Sequence, residues 1–250
     1  MKPVSGCARS KNKTKDQLNR GQTPIFMTSA QGEKSSRKSG SDPELPVICI
    51  HGLWMNGMEM TVFRRNLQRG HGLSTSQFSY PTVRRGIDDN SQKLADFIEA
   101  APADSVDLVG HSLGGVLALQ TLKRFTTTKV RRVVCLGSPL VDSSAARNLS
   151  RRGWGRTLLG RTIKEAVLDQ PLHSASPNHE VGVIGGTVGL GLGVFVGKLP
   201  TPHDGMVTIE ETRLPGIAAH LILPVNHIGL IFSRAVAEQT SHFLRYGAFN

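Results

Sequence analysis

The stretch SVDLVGHSLGGVLALQTLKRF, residues 105–125, constrains the fold of this chain more than any other. SVDLV is a short apolar run of the kind that forms a buried strand. Val116, Leu117, Leu119 and Leu122 then recur at helical spacing. Only Gly110, His111, Ser112, Leu113, Gly114 and Gly115 lie between them. A chain can pass from strand to helix so sharply only if the residues two before and two after the tip lack side chains. Ser112 then sits at the tip in a strained backbone conformation. Its hydroxyl is exposed above the strand end and faces the positive N-terminal end of the new helix.

The rest of the chain repeats this alternation. Strands are predicted at Pro46–Ile50, Phe78–Tyr80, Ser105–Val109, Arg132–Leu136, Val181–Thr187 and Ala218–Leu223. Helices are predicted at Met60–Gln68, Asp88–Ala100, Ser112–Phe125 and His227–Phe243. Strands alternating with helices imply an α/β fold, a mostly parallel twisted sheet with helices on both faces. Two regions break the rhythm. Residues 1–44 hold nine Lys/Arg against four Asp/Glu, are rich in polar residues, and are expected to be a disordered basic tail. The domain proper is therefore 45–250. Within it, residues 141–178 read as an inserted, cap-like segment over the carboxyl edge of the sheet, with helical potential at Thr157–Leu168.

The formal charge of +11 first suggests nucleic acid. No helix-turn-helix, RNP or zinc signature accompanies it, so no nucleic acid is expected. Much of the excess sits in the tail and in Arg147–Lys164, which has six basic residues and no acid. That distribution leaves peripheral contact with an anionic membrane open. Cys7, Cys49 and Cys135 match no metal spacing, and two of the three fall in expected buried strands, so no disulfide framework or metal is expected. No apolar h-region follows the first charges and no spanning segment is evident, which points to a cytoplasmic location. GLGVFVGK (Gly191–Lys198) has the wrong spacing for a phosphate-binding loop.

A nucleophilic serine needs a base, an acid to orient it, and donors for the developing oxyanion. The loop His51-Gly52-Leu53-Trp54 follows the first strand and should lie beside the Ser112 turn. The donors are then the backbone N–H groups of Leu53 and Leu113. Gly52 permits close approach, and His51 and His111 serve as supporting residues. Where such a serine turn ends a parallel strand, the partners follow in the order Ser, acid, His. His227 lies between the last strand and the last helix and is the candidate base; His220 is the rival, inside a predicted strand. Asp204 in the turn PHDGMV is the candidate acid, with Asp142 second and Asp169, Glu210 and Glu211 behind. Leu190, Leu192, Val194, Phe195 and Trp154 are candidates for an acyl site.

The ordered blocks HGLW, GHSLGG, DGMVTIEETRLPG and NHIGLIFS resemble bacterial lipases and esterases of the α/β-hydrolase superfamily, over roughly residues 45–245. The last block is similar to that of the small lidless lipases of bacilli. The resemblance implies hydrolysis of a small-molecule or lipid carboxylic ester through an acyl-enzyme on Ser112, Asp204 and His227, without a cofactor. The same triad would also serve acyl transfer or thioester hydrolysis. A non-catalytic protein binding lipid surfaces is the third reading. The Arg147–Lys164 insertion is longer than the minimal lipases carry, as a small lid or an acyl-pocket wall.

Overall fold

A computed structural model describes residues 46–127, 129–151, 155–190 and 197–250. The expected basic tail, Cys7, Trp154, Leu192, Val194 and Phe195 lie outside them. The strands are β1 (Val47–Ile50), β2 (Thr75–Phe78), β3 (Val106–His111), β4 (Val130–Leu136), β5 (Glu180–Gly186) and β6 (Ala219–Leu223). They form one sheet in the order β2-β1-β3-β4-β5-β6, and every pairing is parallel. β1 is flanked by β2 and β3, with Val47 opposite both Thr75 and Asp107.

The period of two along each strand sorts side chains into two cores. Ile48, Ile50, Leu108, Val133 and Cys135 face one way, where α2 (Ile87–Glu99) and α3 (Leu113–Arg124) pack. Val47, Cys49, Val109, Val134 and Leu136 face the other. That side is covered by α1 (Thr61–His71) and by α7 (Arg234–Tyr246), whose Phe63, Leu67, Val236 and Phe243 are buried there. Because both faces are covered, the central strands read as continuous apolar runs. Cys49 and Cys135 belong to this packing, and burial pushes each thiol up to about 12.

Two predicted elements differ. The second strand is Thr75–Phe78, not Phe78–Tyr80, and Tyr80 leaves the sheet to stack its ring on His51 at 4.6 Å. The predicted helix His227–Phe243 is two helices, α6 (Gly229–Phe232) and α7. Ser233 separates them with extended backbone (φ −72, ψ 127), and its hydroxyl accepts from Val236 N–H at 3.3 Å as the cap of α7.

The 141–178 segment forms α4 (Ser144–Ser150), α5 (Gly155–Ile163) and a π-helical turn, Lys164–Asp169. It is stapled to the body of the fold at several points. Ile87 N–H, at the open start of α2, donates to Glu165 Oε2 at 2.9 Å. Asn90 Nδ2 donates to Thr162 Oγ1 at 2.9 Å, and that hydroxyl donates to the Arg85 carbonyl at 2.8 Å. Gln120 Nε2, on α3, donates to the carbonyls of Ala166 (3.0 Å) and Gln170 (2.7 Å). Among the described residues no helix is long and apolar enough to cross a membrane.

Candidate active site

β3 ends at His111 and α3 begins at Leu113, so the chain turns on Ser112 alone. Ser112 has φ 53 and ψ −121, a region that L-residues avoid. Strain of this kind persists only where the surroundings hold it, as they do here. Ser112 N–H donates to the Leu136 carbonyl at 2.8 Å. A Cβ at Gly110 would strike the backbone of Gly115, and one at Gly114 would strike the carbonyl of Ile50. Both glycines are therefore required by close approach.

Asp204 and His227 come from loops beyond β5 and β6. His227 Nδ1–H donates to Asp204 Oδ2 at 2.7 Å, and His227 backbone N–H donates to the Asp204 carbonyl at 2.8 Å. Asp204 Oδ1 accepts from the backbone N–H groups of Met206 (2.9 Å) and Val207 (2.8 Å). Burial pushes the Asp204 carboxyl up, but His227 and these amides outweigh it and hold the group below the ordinary carboxylate range. An ionised Asp204 keeps the Nδ1–H tautomer of His227, leaving Nε2 to act as acceptor. Gly137, at the end of β4, makes room for the pair. A side chain there would meet Asp204 Oδ2 at 2.9 Å and His227 Nδ1 at 3.3 Å.

The HGLW loop runs beside Ser112: a Cβ on Gly52 would lie 3.2 Å from Ser112 Cβ. His51 orients this loop. Its Nε2 accepts from Tyr80 N–H at 3.2 Å, so its proton is on Nδ1, which donates to the Gly52 carbonyl at 2.9 Å. In a planar trans peptide the carbonyl of Gly52 and the N–H of Leu53 point in opposite directions. Holding one therefore aims the other. Tyr80 hydroxyl also donates to the His51 carbonyl at 3.1 Å, and Trp54 N–H to Thr82 Oγ1 at 3.2 Å, with Trp54 at φ 60.

His111 is wholly buried between these parts. Its Nε2–H donates to the His227 carbonyl at 3.1 Å, and its ring lies 4.8 Å from the His227 ring. Burial, aided by His227, pushes its pKa down to about 3, so it stays neutral beside His227. Burial lowers His51 as well.

The other candidates are engaged elsewhere. His220 Nε2 pairs with Thr212 Oγ1 at 2.8 Å on β6. Asp142 pairs with Arg147, Asp169 with Lys164 at 3.2 Å, and Glu210 with Arg213 at 3.3 Å. Glu211 is buried and accepts from Thr208 N–H (2.9 Å) and from Ser144 N–H, latching the start of α4 to the Asp204 loop. Tyr80, Thr82 and Gly137 carry no spacing signal in the sequence as site residues, and Glu211, read there as a lesser candidate acid, serves instead as this latch.

Ser112, His111, Gly52, Leu53 and His227 all border one cleft. Its remaining walls include Ala146 and Leu149 of α4, Leu159 and Ile163 of α5, and Met206 and Val207 of the Asp204 loop. Of the predicted acyl residues only Leu190 is among the described residues, and for it the expectation is corrected. Leu190 does not border the cleft and is 68% exposed. A Cβ on Gly205 would lie 2.7 Å from its carbonyl oxygen.

Residues 47–219 match the model of the alpha/beta hydrolase family. The chain belongs to that family. A curated relative, Esterase YbfF of Escherichia coli K12, is 26% identical over 115 residues, which is 41% of this chain and 42% of that protein. The match thus spans less than half of the relative's length. Among solved structures, the Bacillus licheniformis lipase BlEst2 in its propeptide form superposes with a TM-score of 0.64 at 19% identity, covering 84% of this chain and 51% of that one. Carboxylesterase CesB (YbfK) of Bacillus subtilis superposes at 0.55 and 14% identity, covering 84% and 87%. At such identities the two structures share the hydrolase fold with this chain.

Proposed function

We propose that this α/β hydrolase cleaves carboxylic esters through an acyl-enzyme on Ser112. The observation that carries the reading is the buried Asp204–His227 pair, 2.7 Å apart, opening onto the same cleft as a serine held at φ 53. His227 Nε2 takes the proton of Ser112 as its oxygen attacks the ester carbonyl. The backbone N–H groups of Leu53 and Leu113 stabilise the tetrahedral oxyanion, helped by the N-terminus of α3. The imidazolium, stabilised by Asp204, then protonates the leaving alcohol. Water repeats the sequence on the acyl-enzyme, releasing the carboxylic acid and restoring Ser112.

The cleft supports an uncharged substrate. Among the described residues that line it none is Asp, Glu, Lys or Arg, although the chain carries a net +11. The fold's likeness to an esterase and a lipase supports the same class of reaction. A fluorophosphonate probe should label the protein at Ser112. Ser112→Ala should abolish labelling and lower kcat on p-nitrophenyl esters by about 10⁶-fold, with the fold intact. Ester hydrolysis surviving in that variant would exclude the mechanism.

A further inference from the structure

The cleft has two unlike ends. At one end Trp54 is 48% exposed and Ile228 38% exposed. At the other, Ala146, Leu149 and Leu159 are each at most 4% exposed. The closed end is built from side chains on α4 and α5. Ala145 and Ala146 each share the inward face of α4 with Leu149, at the four- and three-residue offsets that bring helical positions together. Leu159 and Ile163, on either side of the kink at Gly160 in α5, also line the cleft.

That end is also rigidly supported. Ser143 Oγ caps α4 by accepting from Ala146 N–H at 3.1 Å, and Glu211 accepts from Ser144 N–H. Gly160 kinks α5 at φ 71, and Arg161 N–H donates to the Val83 carbonyl at 2.9 Å. A wall held at both helices cannot withdraw readily to admit a longer guest. Its depth is set by side-chain size, and α4 offers its smallest side chains, two alanines, to the cleft.

The chemistry of the site assigns the ends. His227 must protonate the leaving oxygen, so the alcohol lies on the His227 side, where the next residue, Ile228, is at the open mouth. The acyl group is left with the closed end. Resting on the ester-hydrolase reading above, we infer that the acyl chain of the substrate is held between α4 and α5, that Ala146 and Leu149 limit its length, and that the alcohol side is tolerant. The acyl chain that fits is apolar and uncharged.

Each methylene buried is worth about four-fold in transition-state binding. Ala146→Leu adds three carbons to the wall and should lower the octanoyl-to-acetyl ratio of kcat/KM on p-nitrophenyl esters by about ten-fold or more. Leu149→Ala should move the same profile the other way, raising the decanoyl-to-octanoyl ratio several-fold. Lengthening the alcohol of an octanoate ester should move kcat/KM less than about three-fold in every form. If Ala146→Leu does not fold, labelling rates of alkylfluorophosphonates of increasing chain length, on unmodified protein and on Leu149→Ala, read the same limit. Acyl-length profiles unmoved in both variants, with Ser112 still labelled, would overturn the assignment and leave the hydrolase reading standing. Absence of both ester hydrolysis and labelling in the unmodified protein would overturn both.

Discussion

The Ser112 shelf and the 141–178 segment face each other across one cleft, yet they are held by different means. The shelf is backbone work. Ser112 N–H bonds to the Leu136 carbonyl, the His51 imidazole holds the Gly52 carbonyl, and Gly114 packs on the carbonyl of Ile50. The 141–178 segment, besides the backbone bond of Arg161 N–H to the Val83 carbonyl, is held by side chains reaching across the sequence: Glu165 to Ile87, Thr162 to Asn90, Gln120 to Ala166. The lesson is a division of labour. Backbone contacts allow little variation and serve the chemistry. Side-chain contacts can be exchanged and serve the choice of guest.

Breaking the shelf should therefore cost chemistry, and breaking the staples should cost stability. Asp204→Asn is the sharpest of the tests on the shelf, after loss of the serine itself. It preserves shape but removes the negative charge that holds the His227 tautomer. kcat should fall by roughly 10⁴-fold with the melting temperature little changed. A loss below ten-fold would remove Asp204 from the proposed triad.

Acid should strike the shelf. His111 has a folded pKa of about 3 against an ordinary value of 6.5, and burial lowers His51 in the same direction. Below about pH 6.5 the unfolded chain binds these protons and the folded chain does not. Stability from neutral His111 is complete above that pH and is lost as pH falls toward 3, by about 1.4 kcal/mol per pH unit. Urea unfolding followed from pH 7 to 4 should show this slope, and His111→Gln should flatten it. An equal slope in the variant would place the acid sensitivity elsewhere.

Glu165→Ala should have the smallest effect. It strips the acceptor from the first N–H of α2 and should cost about 1 kcal/mol, read as a shift in the denaturation midpoint. kcat on acetyl esters should fall far less than in Asp204→Asn. A comparable fall would mean that the staples also organise the chemistry, and the contrast between the two regions would collapse.

Legibility followed the same boundary. The order of strands and helices, the Ser112 turn and the HGLW loop were readable because apolar period and glycine spacing are local signals. Asp204 and His227 were readable as the right residue types after the right strands, and they meet in the structure. The split at Ser233 was not, since the apolar pattern runs through it. Nor was the end of β2: Tyr80 looks like a strand residue, but its ring finds His51 instead. Leu190, one of the five proposed acyl residues, does not border the cleft, because apolar composition does not say which side chain turns inward.

Residue order alone dictated the alternating parallel sheet and the single position where a serine could stand strained above it, because strand burial, helix start and steric demand for glycine act within a few residues. Folding in three dimensions decided the rest. Gly137 clears space for a carboxylate 67 positions away in sequence. Glu165 completes a helix whose start it precedes nowhere in the chain, and two alanines of α4 come to face a distant serine. Such partnerships depend on distance in space, and only the packed sheet sets that distance.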